Sequence, residues 1–326
     1  MISQNKALQL NKPRFVWRNF TPQDLERYYN SAQKGNLLQS YPYAVACAKL
    51  NHQTIRQGIF YIENQPAALC QILEAGFIKN TVHAAILDRG PLWFKNYGSE
   101  EDFALFVQQF RREFPARMGR KIRFIPEIKN TPAIHRIMKH NGFKQAADSK
   151  PYKTIWLDLR PDLDTLKKNL DKKWRNALSK SQKQDLKITM NSTPELFSWF
   201  LKSYAQDKKD KFYHGASLKL LSNLIYEFSR GKNVLTAYAL FDEKPIAAIL
   251  IFIHGNSATY QIGYTSALGR EKCAHNALLW NALTALKGRN VHDFDLGGII
   301  GDKDGITTFK KGMGGKIIET PGLFIG

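Results

Sequence analysis

The chain reads as an α+β protein of two tandem halves, each a mixed sheet flanked by helices, and two observations carry that reading. It has 326 residues, 43% of them hydrophobic, which supplies large buried cores but exceeds what one core usually spans. The same order of elements is also written twice. In the first half, 58–74 reads as two strands around a turn at Glu63-Asn64-Gln65-Pro66. In the second, 235–253 repeats the pattern around Asp242-Glu243-Lys244-Pro245. Proline presets φ and an acidic or amide side chain can bond its own backbone, so both stretches suit a turn.

A strand at 82–88, a helix at 102–118 and a short strand at 121–125 follow the first hairpin. Their counterparts in the second half lie at 258–264, 275–287 and 291–296. The helices show an amphipathic spacing, as in Phe103, Phe106, Val107 and Phe110, or Leu278, Leu279, Ala282 and Leu283. Each half closes alike, Ile137-Met138-Lys139-His140-Asn141-Gly142 standing against Phe309-Lys310-Lys311-Gly312-Met313-Gly314. Asp, Ser, Lys and Pro interrupt the apolar pattern near 148–152, so the domains are expected at 1–150 and 151–326.

Charge narrows the partner. There are 48 Lys+Arg against 28 Asp+Glu, a formal net charge of +20, and such a field favours polyanions: nucleic acid, a phosphorylated carrier or an anionic membrane face. The positive charge is dense over 167–187, which reads as a basic helix with Trp174, Ala177, Leu178 and Ser181 on its buried side. Apolar runs fall short of the about 20 residues a membrane helix needs, and 1–14 lacks the apolar core of a secretory signal. A cytoplasmic location is expected. Cys47, Cys70 and Cys273 are widely spaced among apolar neighbours, as packing residues in a reducing compartment would be. The eight histidines show no His-Glu-x-x-His spacing, and neither a Gly-x-Ser-x-Gly elbow nor a Walker loop occurs, so metalloenzyme, serine hydrolase and NTPase readings fall away.

Several local sequences, in order, resemble the FemXAB family, whose members are tandem GNAT-like acyltransferases. They are Leu38-Gln39-Ser40-Tyr41, Arg89-Gly90-Pro91, Lys172-Lys173-Trp174-Arg175-Asn176, Gly263-Tyr264-Thr265-Ser266, Asp293-Phe294-Asp295-Leu296-Gly297-Gly298 and, last, Thr308-Phe309-Lys310-Lys311-Gly312-Met313-Gly314-Gly315. The resemblance spans essentially the whole chain. It implies transfer of an amino acid from aminoacyl-tRNA to the stem peptide of a peptidoglycan precursor, either a UDP-muropeptide or lipid II, with no metal or redox cofactor. It further implies an acceptor-binding first domain, to which the tail at about 315–326 would return, a catalytic second domain on the donor side, and peripheral contact with the inner membrane face. Where family members that bind the nucleotide-linked acceptor carry a lysine, this chain holds Cys47, with Lys49 the nearest lysine, and Met313 replaces the usual Phe.

Aminoacyl transfer to an amine passes through a tetrahedral intermediate whose oxygen becomes negative. Lys310 is the candidate to meet it: with the halves aligned on Gly142 and Gly314, its counterpart is Met138, so the cation belongs to one half alone. Phe309, beside it, could pack against the reacting ester or fill the core. Arg175 and Lys172 are candidates for phosphate contacts, one a planar fork and the other a point charge. Arg89 either joins them or holds its own turn. Tyr41, Tyr43, Tyr213 and Tyr264 are candidate cleft hydroxyls, and Asp293 is a candidate on the strand it shares with Asp295. An acyl-CoA donor would call for an Arg/Gln-x-x-Gly-x-Gly/Ala loop, of which Gly269-Arg270 is only a fragment. CoA-dependent N-acylation therefore stands second, beside tRNA-dependent aminoacylation of a small peptide or antibiotic, and a non-catalytic nucleic-acid-binding module is a third reading.

Overall fold

The computed structural model describes residues 12–77, 81–190, 192–213, 215–299, 301 and 304–326. The chain forms two compact units, the first running to Tyr152 and taking back Glu319–Gly326, the second Lys153–Ile318. In chain order the strands of the first half are β1 Arg14–Trp17, β2 Thr54–Ile62, β3 Gln65–Phe77, β4 Val82–Gly90, β5 Leu92–Trp93, β6 Arg120–Pro126 and β7 Lys144–Gln145. Those that follow are β8 Tyr152–Asp158, β9 Lys187–Thr189, β10 Val234–Phe241, β11 Lys244–His254, β12 Ser257–Thr265, β13 Asp293–Ile299, β14 Lys316–Thr320 and β15 Phe324–Ile325.

Among the described residues, one sheet has the order β1-β2-β3-β4-β6-β15-β7 with β5 on β3, and the other β14-β8-β13-β12-β11-β10-β9. Both follow one plan. An antiparallel hairpin and a third strand lead through a helix to a parallel neighbour, β6 on β4 and β13 on β12. A strand-helix-strand crossover of this kind puts its helix on a sheet face. Helix Glu100–Glu113 buries Phe103, Phe106, Val107 and Phe110, and helix Ala274–Gly288 buries Leu278, Leu279, Ala282 and Leu283. The first core is aromatic, with Phe60, Phe106, Phe110 and Phe124 fully buried; the second is aliphatic, with Ile249, Ile251, Leu278 and Leu279 fully buried.

Three local expectations are corrected. The hairpin turns are tighter than four residues: Glu63-Asn64 and Asp242-Glu243 alone make them, at φ of 47° and 64°, and 48° and 59°. Positive φ at both central residues is what a primed hairpin turn requires. Pro66 and Pro245 already lie within strands, each where the register shifts, opposite Tyr61 and Leu240, since a proline needs a place that asks for no ladder donor. The helix expected over 102–118 stops at Glu113 because Pro115 follows within two residues. Finally, the basic stretch 167–187 is not one helix. Leu163–Asn169 ends, Asp171 accepts the Lys173 N–H at 2.7 Å to start Lys172–Gln182, and Lys187–Thr189 is a strand.

Candidate active site

The polar side chains of the second unit converge where β13 meets helix Gly305–Lys311. The strand breaks its register between Asp295 and Gly298. Gly297 there has φ 77°, and its N–H donates to Asp295 Oδ1 at 2.8 Å. Asp295 is 1% exposed and also accepts the Thr154 hydroxyl. This bulge aims the Gly298 carbonyl at helix Gly305–Lys311, whose start is fixed by Asp304 accepting the Thr307 N–H at 2.8 Å. Lys310 answers it: Nζ donates to Gly298 O at 2.9 Å, with the side chain 8% exposed.

A lysine so placed is unusual. Burial pushes its pKa down to about 8, while Asp295 and then Asp304 hold it up against that loss. An ammonium has three donors, and Gly298 takes one. The same group lies 5.8 Å from the Tyr260 ring centroid. Tyr260 Oη is 2.8 Å from His275 Nε2, and the His275 pKa is lowered to about 4, first by burial and then by the Lys310 charge. His275 is therefore neutral at physiological pH, and among the described residues its buried Nδ1 has no protein hydrogen-bond partner. Gly263 keeps this corner open: a Cβ there would stand 2.0 Å from Tyr260 Oη and 2.8 Å from His275 Cε1.

Phe309 closes the cluster, half-buried, its ring 5.9 Å from that of Trp174 and 5.6 Å, edge-on, from His275. Lys172 is exposed on the first turn of its helix. Arg175 lies on the same turn, but its Nη1 donates to the Lys168 and Leu170 carbonyls at 2.6 and 2.8 Å, bracing the preceding helix. Tyr213 faces Asp207 at 3.4 Å, and burial followed by that carboxylate raises its pKa. Tyr264 packs edge-on to Trp199 at 5.6 Å.

Asp293 does not join them. It opens β13 beside Asp158, and its charge acts on Arg160; from there to Gly298 is roughly 16 Å of extended chain. The carboxylate that serves the lysine is Asp295. Tyr260, His275 and the Gly297-Gly298 bulge were not singled out as site residues by sequence reasoning. A histidine in the first turn of a helix that buries mostly apolar residues was the available signal.

In the first unit, Arg89 is 5% exposed and grips Glu127 through Nε at 2.7 Å and Nη2 at 2.8 Å, with its guanidinium 5.1 Å from the Tyr152 ring centroid. It anchors its own turn, and its fork is spent on that carboxylate. Tyr41 is exposed, whereas Tyr43 is half-buried and burial, Cys47 and Asp88 raise its pKa. Cys47 itself is buried, like Cys70. Among the described residues no cluster of His, Cys, Asp and Glu could hold a metal, and no helix is long and apolar enough to cross a membrane.

Residues 166–311 match the family model described as acetyltransferase (GNAT) domain. The whole fold is similar to the crystal structure of FemX, with a TM-score of 0.77 at 13% identity over 95% of this chain and 96% of that one. It is also similar to the C-terminal domain (DUF2156) of a putative lysylphosphatidylglycerol synthetase from Agrobacterium fabrum, at 0.52 and 14% over 93% and 92%. A tandem GNAT protein from the clavulanic acid biosynthesis pathway gives 0.52 and 10% over 97% and 98%. No curated protein sequence matches. The chain thus has the tandem GNAT acyltransferase fold, and its likeness to FemX is a likeness of fold.

Proposed function

We propose that the chain is an aminoacyltransferase that moves an amino acid from aminoacyl-tRNA to an amine of a peptidoglycan precursor, a UDP-muropeptide or the stem peptide of lipid II, forming an amide bond. The observation that carries this reading is Lys310, a buried cation on helix Gly305–Lys311 that faces the β13 bulge beside a neutral histidine, its ammonium donating to Gly298 O. The motif order that resembles FemXAB enzymes and the net charge of +20 support a tRNA donor.

In the reaction the acceptor amine adds to the ester carbonyl, a C–N bond forms and the carbonyl oxygen takes the negative charge. The Lys310 ammonium meets that oxygen in a site sheltered from water, where a fixed donor is worth most. The carbon–oxygen bond to the tRNA ribose then breaks, the amine gives up a proton and the departing oxygen gains one. His275, uncharged and held by Tyr260, lies beside the ammonium as a neutral polar group; with its pKa lowered to about 4 it does not retain the amine's proton, which passes to the departing oxygen. Phe309 supplies an apolar wall against the ester. Lys172 would meet phosphates from the exposed face of its helix.

The test is incubation of the purified protein with mixed charged tRNA and a panel of muropeptides, read by mass spectrometry for an added residue mass. An acceptor gaining an amino acid, and a gain about 10²- to 10³-fold slower with Lys310→Met, is the expected result. The match to an acetyltransferase (GNAT) domain favours a second reading, N-acylation from an acyl-CoA. That reading predicts turnover with acyl-CoA and indifference to tRNA. A tRNA donor predicts instead that affinity for tRNA falls steeply with salt, roughly 10²- to 10³-fold between 50 and 200 mM if about five phosphates are neutralised.

A further inference from the structure

The first unit carries an exposed surface that the proposed reaction does not use. At the end of the β3–β4 ladder Phe77 faces Val82, and the two are 67% and 49% exposed. The turn that follows helix Glu100–Glu113 reaches the same end: the His83 N–H donates to Gly119 O at 2.8 Å, and Arg117 Nη1 to Thr81 O at 2.9 Å. In that turn Met118 is 96% exposed. Three large apolar side chains thus stand in water within one small area, where a soluble surface normally scatters them singly.

The exposed charged side chains of the adjoining turn, Arg112, Arg117 and Lys121, are all positive. Arg112 and Lys121 are exposed on either side of the turn. Behind it, Arg120 has its pKa lowered by burial and then by the guanidinium charge of Arg117, with Glu74 acting against them and smaller lowering contributions from Arg111 and Arg56. Two carboxylates there are already engaged. Glu74 is bound by Arg56 at 2.7 Å and lies 3.0 Å from His83, and Glu113 accepts from Trp17 at 3.1 Å.

We propose that this end of the first unit, built on Phe77, Val82 and Met118 and ringed by Arg117, Lys121 and Arg112, docks on an anionic lipid bilayer. Apolar side chains that can enter the acyl boundary beside cations that meet phosphate headgroups are the two signals that together hold a protein at such a surface. A nucleic acid would use the cations and could stack a base on Phe77, but gains little from Val82 and Met118. The inference concerns a surface remote in sequence from Lys310 and stands whether or not the transfer reaction is as proposed.

The test is sedimentation of the full chain with vesicles of phosphatidylcholine alone and of phosphatidylcholine mixed with phosphatidylglycerol. The chain is expected to pellet with the mixed vesicles and to stay in solution with the neutral ones. Phe77→Ser with Met118→Ser, which leaves the charge unchanged, should weaken vesicle binding about tenfold or more. Arg112→Ser with Lys121→Ser, which leaves the apolar residues unchanged, should weaken it roughly 25-fold, at about fivefold per cation. Arg117 is spared because its bond to Thr81 holds the turn. All four side chains changed are exposed, so circular dichroism and transfer activity on soluble substrates should not move. Wild-type protein that stays in solution with the mixed vesicles overturns the proposal. So does binding that tRNA abolishes and the Phe77/Met118 variant retains, which would mark the patch as a nucleic-acid surface.

Discussion

Helix Pro132–His140 in the first unit and helix Gly305–Lys311 in the second end in the same way, yet carry opposite chemistry at one position. Each is followed by a glycine in the left-handed region, Gly142 at φ 76° and Gly314 at 81°. Each glycine N–H bonds three residues back at 3.0 Å, to Lys139 O and Lys311 O. Counting back from those glycines places Met138 and Lys310 in the same place. Met138 is fully buried in the aromatic core, where it fills space. Lys310 is nearly as buried but faces a carbonyl that the β13 bulge presents. The fold thus offers an inward-pointing position at the end of this helix, and the neighbouring strand decides whether it holds packing or a charge.

The sharpest way to break that comparison is to exchange the two side chains. Lys310→Met should cut turnover by about 10² to 10³, the usual loss for one oxyanion-stabilising donor, while leaving the thermal transition in place, because methionine matches the stem and the lost charge was itself costly to bury. Turnover near wild type would remove Lys310 from the chemistry. Met138→Lys should do the reverse, giving no gain in activity but lowering stability by roughly 3 kcal/mol or more, since it would place an ammonium in a fully buried apolar cluster; denaturant unfolding measures it. Next in size is Arg89→Ala. It strands Glu127 at a partly buried site and is expected to cost roughly 3 kcal/mol without changing tRNA binding. A specific loss of acceptor affinity at unchanged stability would instead return Arg89 to the substrate.

Much of this was legible in the residues, and the limits have physical causes. The doubled element order and the paired helix ends, and with them the shared position of Met138 and Lys310, rest on local periodicity and on glycine, both of which are written along the chain. The turn geometry was misread because proline suggests a turn wherever it occurs, whereas here Glu63-Asn64 and Asp242-Glu243 take positive φ and the prolines sit at bulges. Arg175 reads as a phosphate ligand, and Arg89 as either that or the holder of its own turn, because an arginine's partner is a tertiary fact; Glu127 lies 38 residues from Arg89. Asp293 was preferred to Asp295, although the two look identical on an alternating strand. The bulge at Gly297 distinguishes them, and a bulge has no reliable sequence mark beyond its glycine.

The pH dependence sharpens the comparison on the rate side. If the Lys310 ammonium is what meets the oxyanion, the ratio of wild-type to Lys310→Met turnover should be flat below about pH 8 and fall about tenfold per unit above it, following the Lys310 pKa of about 8. Taking the ratio cancels titration of the acceptor amine, which both proteins share. A ratio unchanged to pH 10 would show that the positive charge at this position is not used.

The smallest effects concern stability, and they separate the halves because Met138 does not titrate. For His275 the folded pKa is about 4 against an ordinary 6.5. The unfolded chain therefore takes up its proton first as pH falls, and stability present above pH 6.5 is lost progressively toward pH 4. For Lys310 the folded pKa is about 8 against 10.5. Between those values the folded state has released a proton that the unfolded state keeps, so stability rises with pH across that window. His275→Asn should flatten the acid limb and Lys310→Met the alkaline one, each read as a urea midpoint against pH. Limbs that coincide with wild type in both variants would mean that the second unit holds these groups as solvated side chains, and the contrast between the two helix ends would then be one of composition rather than of chemistry.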